Sequence, residues 1–135
     1  MFKTVGSKSD ANDHFGCMPR PAFTEPICDI VGYKHYDFCV FRGSRLFGDH
    51  HVRIKSTNHS RMEKIFGKIY MYFPFSDDAK DLLKNPLNYS HSLWKKSGEN
   101  IRFTCEGYSM SIPISDLVEI CDYGEELLLK HLAEP

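Results

Sequence analysis

The sequence has no apolar run approaching the roughly 18–20 residues that a membrane-spanning helix requires. It also lacks an excess of either charge, because 17 Lys and Arg residues oppose 18 Asp and Glu residues, for a formal net charge of −1. The stretch from Met1 to Lys8 contains no apolar segment of the kind found in secretory signal peptides. These absences lead us to expect a soluble, cytoplasmic protein that does not interact with membranes.

Signatures of the common catalytic folds are missing as well. The sequence contains no P-loop, GxGxxG, GxSxG or HExxH motif. Strand and helix patterns do not alternate as they do in a doubly wound nucleotide-binding fold. We therefore expect no cofactor, and we treat enzymatic activity as an alternative to a binding function.

The spacing of the cysteines does not indicate a metal-binding or disulfide framework. The sequence contains five cysteines, Cys17, Cys28, Cys39, Cys105 and Cys121. Because this number is odd and no signal peptide is visible, we expect free thiols. Zinc sites typically combine two close pairs of ligands, whereas this chain offers one mixed pair, His14 and Cys17. We predict no metal site and keep His14 and Cys17 as the alternative.

The residues that are present describe one folded domain. The chain has 135 residues, of which 41% are hydrophobic, 26% charged and 13% aromatic, which is close to the globular average apart from generous aromatics. Residues 1–26 contain several Gly, Pro, Ser and Asp residues, and we predict an irregular N-terminal arm there. Residues 27–135 are predicted to form a single α+β domain.

Apolar-rich and alternating stretches predict strands at 27–33, 36–42, 50–55 and 65–73, and the second of them is expected to be central and covered because its apolar residues fall on both faces. In the third of these, Val52 and Ile54 face one side and His51, Arg53 and Lys55 the other, which predicts a half-buried strand. A two-residue turn at Glu106-Gly107 predicts a hairpin over 101–112 that pairs Cys105 with Tyr108, Phe103 with Met110 and Ile101 with Ile112. Residues 92–96 are predicted as a third strand beside it.

Two helices complete the prediction. Ser76 is a typical N-cap for a short helix over 77–84, because two acidic residues follow it. Apolar residues at helical spacing predict a C-terminal helix with Ser115 as N-cap, and Gly124 is expected to bend or split it. The fold class is therefore α+β: a mostly antiparallel sheet of about six or seven strands, a short middle helix and a C-terminal amphipathic helix.

Charge is unevenly distributed along the chain. Between Arg42 and Lys68 there are seven basic residues against two acidic ones, whereas from Ser115 onward six acidic residues face only Lys130. Two such segments either neutralise each other or present surfaces to partners of opposite charge. Lys68, Tyr70 and Tyr72 share one predicted strand face, and Tyr is enriched in interfaces.

These observations lead to a binding protein as the main hypothesis. We expect a protein partner, as for an inhibitor, an immunity-type protein or an adaptor. The residues expected to bind this partner are Lys68, Tyr70, Tyr72, Arg53 and Lys55. The acidic C-terminal helix is the second candidate surface.

Two alternatives have a different chemistry. In the first, Asp49, His50 and His51 form the catalytic or ligand-binding cluster of a small enzyme or ligand-binding domain, because a His beside a carboxylate can act as a general base. In the second, residues 42–72 bind nucleic acid, with basic residues on phosphates and tyrosines stacking on bases.

Overall fold

The computed structural model describes residues 1–15, 24–43, 49–57, 70–84, 89–90, 94–105 and 108–134. Two antiparallel sheets, three α-helices and a short 3₁₀ helix at Lys8–Asp10 make up this part of the chain. The α+β class and the antiparallel pairing predicted from the sequence are confirmed, with the strands divided between two sheets. In the described residues, no helix combines the length and the apolarity needed to cross a membrane.

The first sheet has six strands. They are β1 (Lys3–Gly6), β2 (Glu25–Pro26), β3 (Ile30–Tyr33), β4 (Tyr36–Arg42), β5 (His51–Ser56) and β6 (Met71–Pro74). The order is β1-β3-β4-β5-β6, and β2 pairs with the last two residues of β4. The alternation within β6 is as predicted, but the structure begins this strand at Met71, and residues 65–69 lie outside the described residues.

The second sheet has four strands in the order β10-β9-β8-β7. They are β7 (Tyr89–Ser90), β8 (Trp94–Ser97), β9 (Asn100–Cys105) and β10 (Tyr108–Pro113). The three residue pairs predicted for the hairpin are confirmed by its register. The predicted turn residues Glu106 and Gly107 lie outside the described residues.

The helices are α1 (Ala11–Phe15), α2 (Asp77–Lys84) and α3 (Ile114–Ala133). The backbone amide of Ala79 donates a hydrogen bond of 3.2 Å to the Ser76 hydroxyl, which confirms the predicted N-cap of α2. The prediction of Ser115 as N-cap of α3 is wrong, because the extended residue Pro113 occupies that position. The first amide of the helix, that of Ile114, donates instead to the carbonyl of Glu99 at 2.8 Å.

Gly124 lies within the continuous helix α3, so the expectation that it splits the helix is also wrong. A Cβ atom at this position would lie 3.1 Å from Phe75 Cζ and 3.1 Å from Val40 Cγ2. The missing side chain lets the helix approach the first sheet closely, and the packing there offsets the low helix propensity of glycine.

The main core lies between the first sheet, α3 and the second sheet. It contains the buried side chains of Phe38 and Ile54 from the first sheet, Leu117 and Ile120 from α3, and Phe103 from the second sheet. A second apolar cluster covers the opposite face of the first sheet and includes Phe15 of α1 together with Phe41 and Tyr70. The first sheet is therefore covered on both faces.

Two sequence-based expectations fail for this reason. The strand β5 is buried on both faces from His51 to Lys55 and not half-buried, because α1 and its surroundings cover the polar face. Residues 1–15 are not irregular: β1 pairs with β3, and the Phe2 ring stacks on Tyr33 at 4.7 Å and on Tyr123 at 4.2 Å. Aromatic side chains therefore fix a segment whose turn-forming composition indicated a loose arm.

Candidate functional site

Several titratable residues of β4 and β5 share the face of the first sheet that lies away from α3. Side chains alternate along a strand, so the cross-strand pairs of β4 and β5 define which residues share this face. These pairs are Asp37 with Lys55, Cys39 with Arg53, and Phe41 with His51. We call these six residues the arginine face.

Arg53 is fully buried and is the largest such side chain in the described part of the protein. Its Nε donates to His51 Nε2 at 2.9 Å, and its two terminal nitrogens donate to the Phe15 carbonyl at 3.3 Å and to the Thr24 hydroxyl at 2.9 Å. The guanidinium also lies 3.8 Å from the centre of the Phe41 ring. Hydrogen bonds and ring contacts of this kind offset the cost of burying a cation. Arg53 therefore fastens the N-terminal segment to the sheet.

His51 is fully buried beside Arg53, and both of its ring nitrogens are engaged. The carbonyl of Asp49, 3.0 Å from Nδ1, can only accept a hydrogen bond, so Nδ1 carries the proton and Nε2 accepts from Arg53. Burial, assisted by the Arg53 charge, lowers the pKa of His51 to about 3. The imidazole is therefore neutral at neutral pH and has no free nitrogen for a substrate.

The proposed catalytic cluster of Asp49, His50 and His51 is not assembled as such. Asp49 is exposed and reaches His51 through its backbone carbonyl, not its carboxylate. His50 Nδ1 accepts a hydrogen bond of 3.0 Å from the backbone amide of Gly43. Each of the two histidines thus holds nearby backbone in place, and this geometry does not favour general-base catalysis.

The predicted partner-binding residues lie largely below the surface. Arg53, Lys55 and Tyr70 are buried, and Tyr72 is half-buried with its ring 4.2 Å from that of His51. The expectation that these residues form an exposed face is therefore wrong, because the segment that contains α1 covers them. Lys68 lies outside the described residues, and a role of the set in partner binding stays a prediction.

The basic segment considered for nucleic acid is described only in part. Arg42 is exposed, whereas Arg53 and Lys55 are buried and cannot contact a phosphate backbone in this structure. The other basic residues of the segment lie outside the described residues; they are Arg45, Arg61, Lys64 and Lys68. Nucleic-acid binding by this segment stays a prediction.

The candidate metal ligand His14 has a different partner. Its Nε2 lies 3.2 Å from a carboxylate oxygen of Asp37, and both side chains are partly exposed. Cys17 lies outside the described residues. Within the ranges that the structure describes, no group of three or more His, Cys, Asp or Glu residues could hold a metal ion. Sequence reasoning missed the His14–Asp37 pair because it depends on how α1 docks on β4.

A pair of cysteines also comes together on this side of the sheet. The sulfur atoms of Cys28 and Cys39 are 3.9 Å apart, although the residues are separated by 11 positions in the chain. Cys28 is half-buried and Cys39 is fully buried. Cys28, Cys39 and Cys121 are free cysteines in the structure, as the odd number of cysteines indicated.

The acidic helix α3 is held to the body of the protein by its inner carboxylates. Asp116 binds Lys34 Nζ at 2.6 Å, Glu119 accepts a hydrogen bond from the Tyr33 hydroxyl, and Glu125 pairs with Lys80. The hydrogen bond to Glu119 raises the pKa of Tyr33, and that to Asp116 raises the pKa of Lys34. None of these partners comes from the basic segment between Arg42 and Lys68.

The opposite side of α3 is exposed. Asp122, Glu126 and Leu129 follow one another at spacings of four and three residues, so they lie in one row along the helix. Leu129 is 62% exposed and Leu132, one turn further on, is 45% exposed. We call the row formed by Asp122, Glu126, Leu129 and Leu132 the α3 outer face.

Function has to be argued from these residues alone. No protein-family model matches this chain, and no curated protein or solved structure is significantly similar to it.

Proposed function

We propose that this chain is a protein-binding domain that docks its partner on the α3 outer face. The observation that carries the proposal is the exposure of two neighbouring leucines, Leu129 and Leu132, at the end of a row of carboxylates. A single exposed leucine is ordinary on a protein surface, whereas adjacent ones that continue a charged row form a small amphipathic docking surface. Inhibitors, immunity-type proteins and adaptors act through surfaces of this kind.

The charge of the face selects the class of partner. Asp122 and Glu126 repel phosphate groups, which disfavours nucleic acid and anionic membranes as the occupant of this surface. The complementary partner is a protein that carries Lys or Arg residues beside an apolar pocket. Carboxylates at the edge of such an interface mainly accelerate association, and the leucines contribute most of the affinity.

The attachment of α3 supports this role. Three side-chain interactions anchor the helix at Asp116, Glu119 and Glu125, and Gly124 brings it close to the sheet. A helix fixed in this way loses little conformational entropy when a partner binds, so more of the contact energy remains as affinity. We keep the cytoplasm as the proposed location, in agreement with the free thiols at Cys28, Cys39 and Cys121.

The test compares capture of a partner by three tagged proteins in native lysate, quantified by mass spectrometry. The test variant is Leu129→Ser with Leu132→Ser, and the matched control is Val5→Ser, which removes an exposed apolar side chain on β1. Loss of two leucines that the bound partner would cover should reduce the captured partner at least about tenfold. The control should capture as much as the wild type.

The salt dependence provides a second readout of the same face. The variant Asp122→Asn with Glu126→Gln should slow association and weaken its dependence on ionic strength. Equal capture of one stoichiometric partner by all of these proteins would place the docking surface elsewhere and refute the proposal.

A further inference from the structure

The two sulfur atoms at 3.9 Å lie at an irregularity in the first sheet. Pro26 pairs with Phe41, and Val31 pairs with Phe38. The four residues between Pro26 and Val31 therefore face the two residues between Phe38 and Phe41, so that the chain bulges between β2 and β3. Cys28 lies in the bulge and Cys39 lies in β4 opposite to it.

In the bulge, the sulfur of Cys28 replaces a backbone acceptor. The amide of Val40 donates to Cys28 Sγ at 3.5 Å, and the Cys39 thiol lies within reach of both the sulfur and the carbonyl oxygen of Cys28. These donors stabilise a negative charge on the Cys28 sulfur. The hydrogen bond from Cys39 accordingly lowers the pKa of Cys28, whereas the same contact raises the pKa of Cys39.

Burial assigns different roles to the two thiols. Cys28 is half-buried, so a small oxidant can reach it, whereas Cys39 is fully buried and is reached through Cys28. Because Cys28 lies outside the ladder of regular strand pairs, its side chain can move toward Cys39 without breaking the pairs of β3 with β4. A close pair with one accessible, thiolate-forming member is the arrangement of oxidisable dithiols.

We propose that Cys28 and Cys39 form a redox-active dithiol that hydrogen peroxide converts to an intramolecular disulfide. The Cys28 thiolate attacks one peroxide oxygen, so that an S–O bond forms, the O–O bond breaks, and the Cys28 sulfenic acid and hydroxide result. This hydroxide takes up the proton that the Cys28 thiol released when it ionised, and becomes the first water molecule. The Cys39 sulfur then attacks the Cys28 sulfur, the S–S bond forms, and the S–O bond breaks. The departing hydroxide takes the Cys39 proton and leaves as water. The two thiols are oxidised and the peroxide is reduced to two water molecules.

The experiment uses the full chain, reduced, then treated with hydrogen peroxide and quenched with an alkylating agent. Trypsin cleaves after Lys34, so Cys28 and Cys39 fall on different peptides and a disulfide joins them. Cys17 shares the Cys28 peptide, because the bond after Arg20 precedes a proline, and a parallel Cys17→Ser sample assigns the link. We expect loss of two thiols per chain, a joined peptide pair in both samples, and recovery of both thiols on reduction.

Variants separate the two roles. Cys39→Ser should accumulate sulfenic acid at Cys28 with no joined pair, Cys28→Ser should leave Cys39 unoxidised, and Cys121→Ser should form the link as the wild type does. The wild-type peptide map shows directly whether the Cys28 and Cys39 peptides are joined. The proposal therefore remains testable if one of the variants does not fold. The proposal is overturned if both cysteines remain alkylated after peroxide, if Cys28 oxidises without linking, or if it links to another cysteine.

Discussion

His51 Nε2 accepts a hydrogen bond of 2.9 Å from Arg53 Nε, and both side chains are fully buried. This contact joins a neutral imidazole to a permanent cation on the same face of β5. Protonation of His51 would make Nε2 a donor that faces the Arg53 Nε donor, and it would bury two positive charges side by side. The relationship makes the folded protein sensitive to acid, and it ties the position of Arg53 to the tautomer of His51.

The first prediction is a loss of stability in acid. The pKa of His51 is about 3 in the folded protein, below its value of about 6.5 in an unfolded chain. As the pH falls below about 6.5, the unfolded chain therefore binds a proton before the folded one does, and the free energy of unfolding decreases. We expect a decrease of about 2–3 kcal/mol between pH 7 and pH 4.5 from this residue, measured by urea unfolding at the two pH values.

The matched variant is His51→Gln, whose amide oxygen still accepts from Arg53 and does not titrate. Between pH 7 and pH 4.5, the free energy of unfolding of this variant should decrease by about 2–3 kcal/mol less than that of the wild type. The carboxylates contribute equally to the pH dependence of both proteins, so the difference reports His51. NMR titration of the wild type should show an uncharged His51 ring with its proton on Nδ1 at pH 5. A ring that becomes charged near pH 6.5 would contradict this interpretation.

The second prediction concerns Arg53. Its replacement by Ala leaves a cavity and removes donors from His51, from the Phe15 carbonyl and from Thr24. The free energy of unfolding should fall by about 3–5 kcal/mol, as for other buried polar truncations that combine both effects. Arg53→Lys should retain only part of this free energy, because one ammonium group cannot reproduce the planar guanidinium that donates in several directions and lies over the Phe41 ring.

The control for Arg53 is Arg42→Ala, an exposed arginine at the end of β4. It should change the free energy of unfolding by less than about 0.5 kcal/mol. Hydrogen exchange should also show faster exchange in α1 for Arg53→Ala than for Arg42→Ala, because Arg53 holds the Phe15 carbonyl. Equal stability of the two variants would show that the buried guanidinium does not anchor this segment.

The third prediction tests the close approach at Gly124. Gly124→Val places methyl groups against Phe75 and Val40, where a single Cβ would already lie at 3.1 Å. Overpacking of this kind should lower the free energy of unfolding by about 2 kcal/mol, despite the gain in helix propensity over glycine. The exposed substitution Ala133→Val in the same helix serves as the control and should have little effect.

Coupling to a neighbour makes this test specific. The double variant Gly124→Val with Phe75→Leu should be more stable than the sum of the two separate changes predicts, by about 0.5 kcal/mol or more, because the smaller side chain makes room. Additive effects in thermal or urea unfolding would show that Phe75 does not limit the space at Gly124.

The fourth prediction isolates backbone strain at the turn between β8 and β9. Gly98 has a φ of +59°, and no atom lies within 4 Å of the position that a Cβ would occupy. Gly98→Ala should therefore cost about 1 kcal/mol through the backbone alone. Gly98→Asn should cost less, because Asn tolerates the left-handed region. An increase in stability for Gly98→Ala, by restriction of the unfolded chain, would contradict the strained geometry.

Elements that depend on neighbours in the chain could be predicted from the sequence. The hairpin of β9 and β10 has the predicted register because the alternation of Ile101, Phe103 and Cys105 and a two-residue turn permit only one pairing with apolar residues on one face. Likewise, α2 begins after Ser76 as predicted, because an N-cap acts within one turn. The spacing that placed Asp122, Glu126 and Leu129 in one row is equally local.

The segments that cover each face of the first sheet could not be predicted in the same way, because they come from distant parts of the chain. Alternation showed that His51, Arg53 and Lys55 share a side of β5, but burial depends on α1, which docks from a distant part of the chain. The Cys28–Cys39 contact likewise requires the bulge between β2 and β3. Local patterns fix backbone geometry through short-range sterics and hydrogen bonds, whereas contacts between distant segments follow from how whole faces exclude water. For this reason the fold class was predictable and the burial of the arginine face was not.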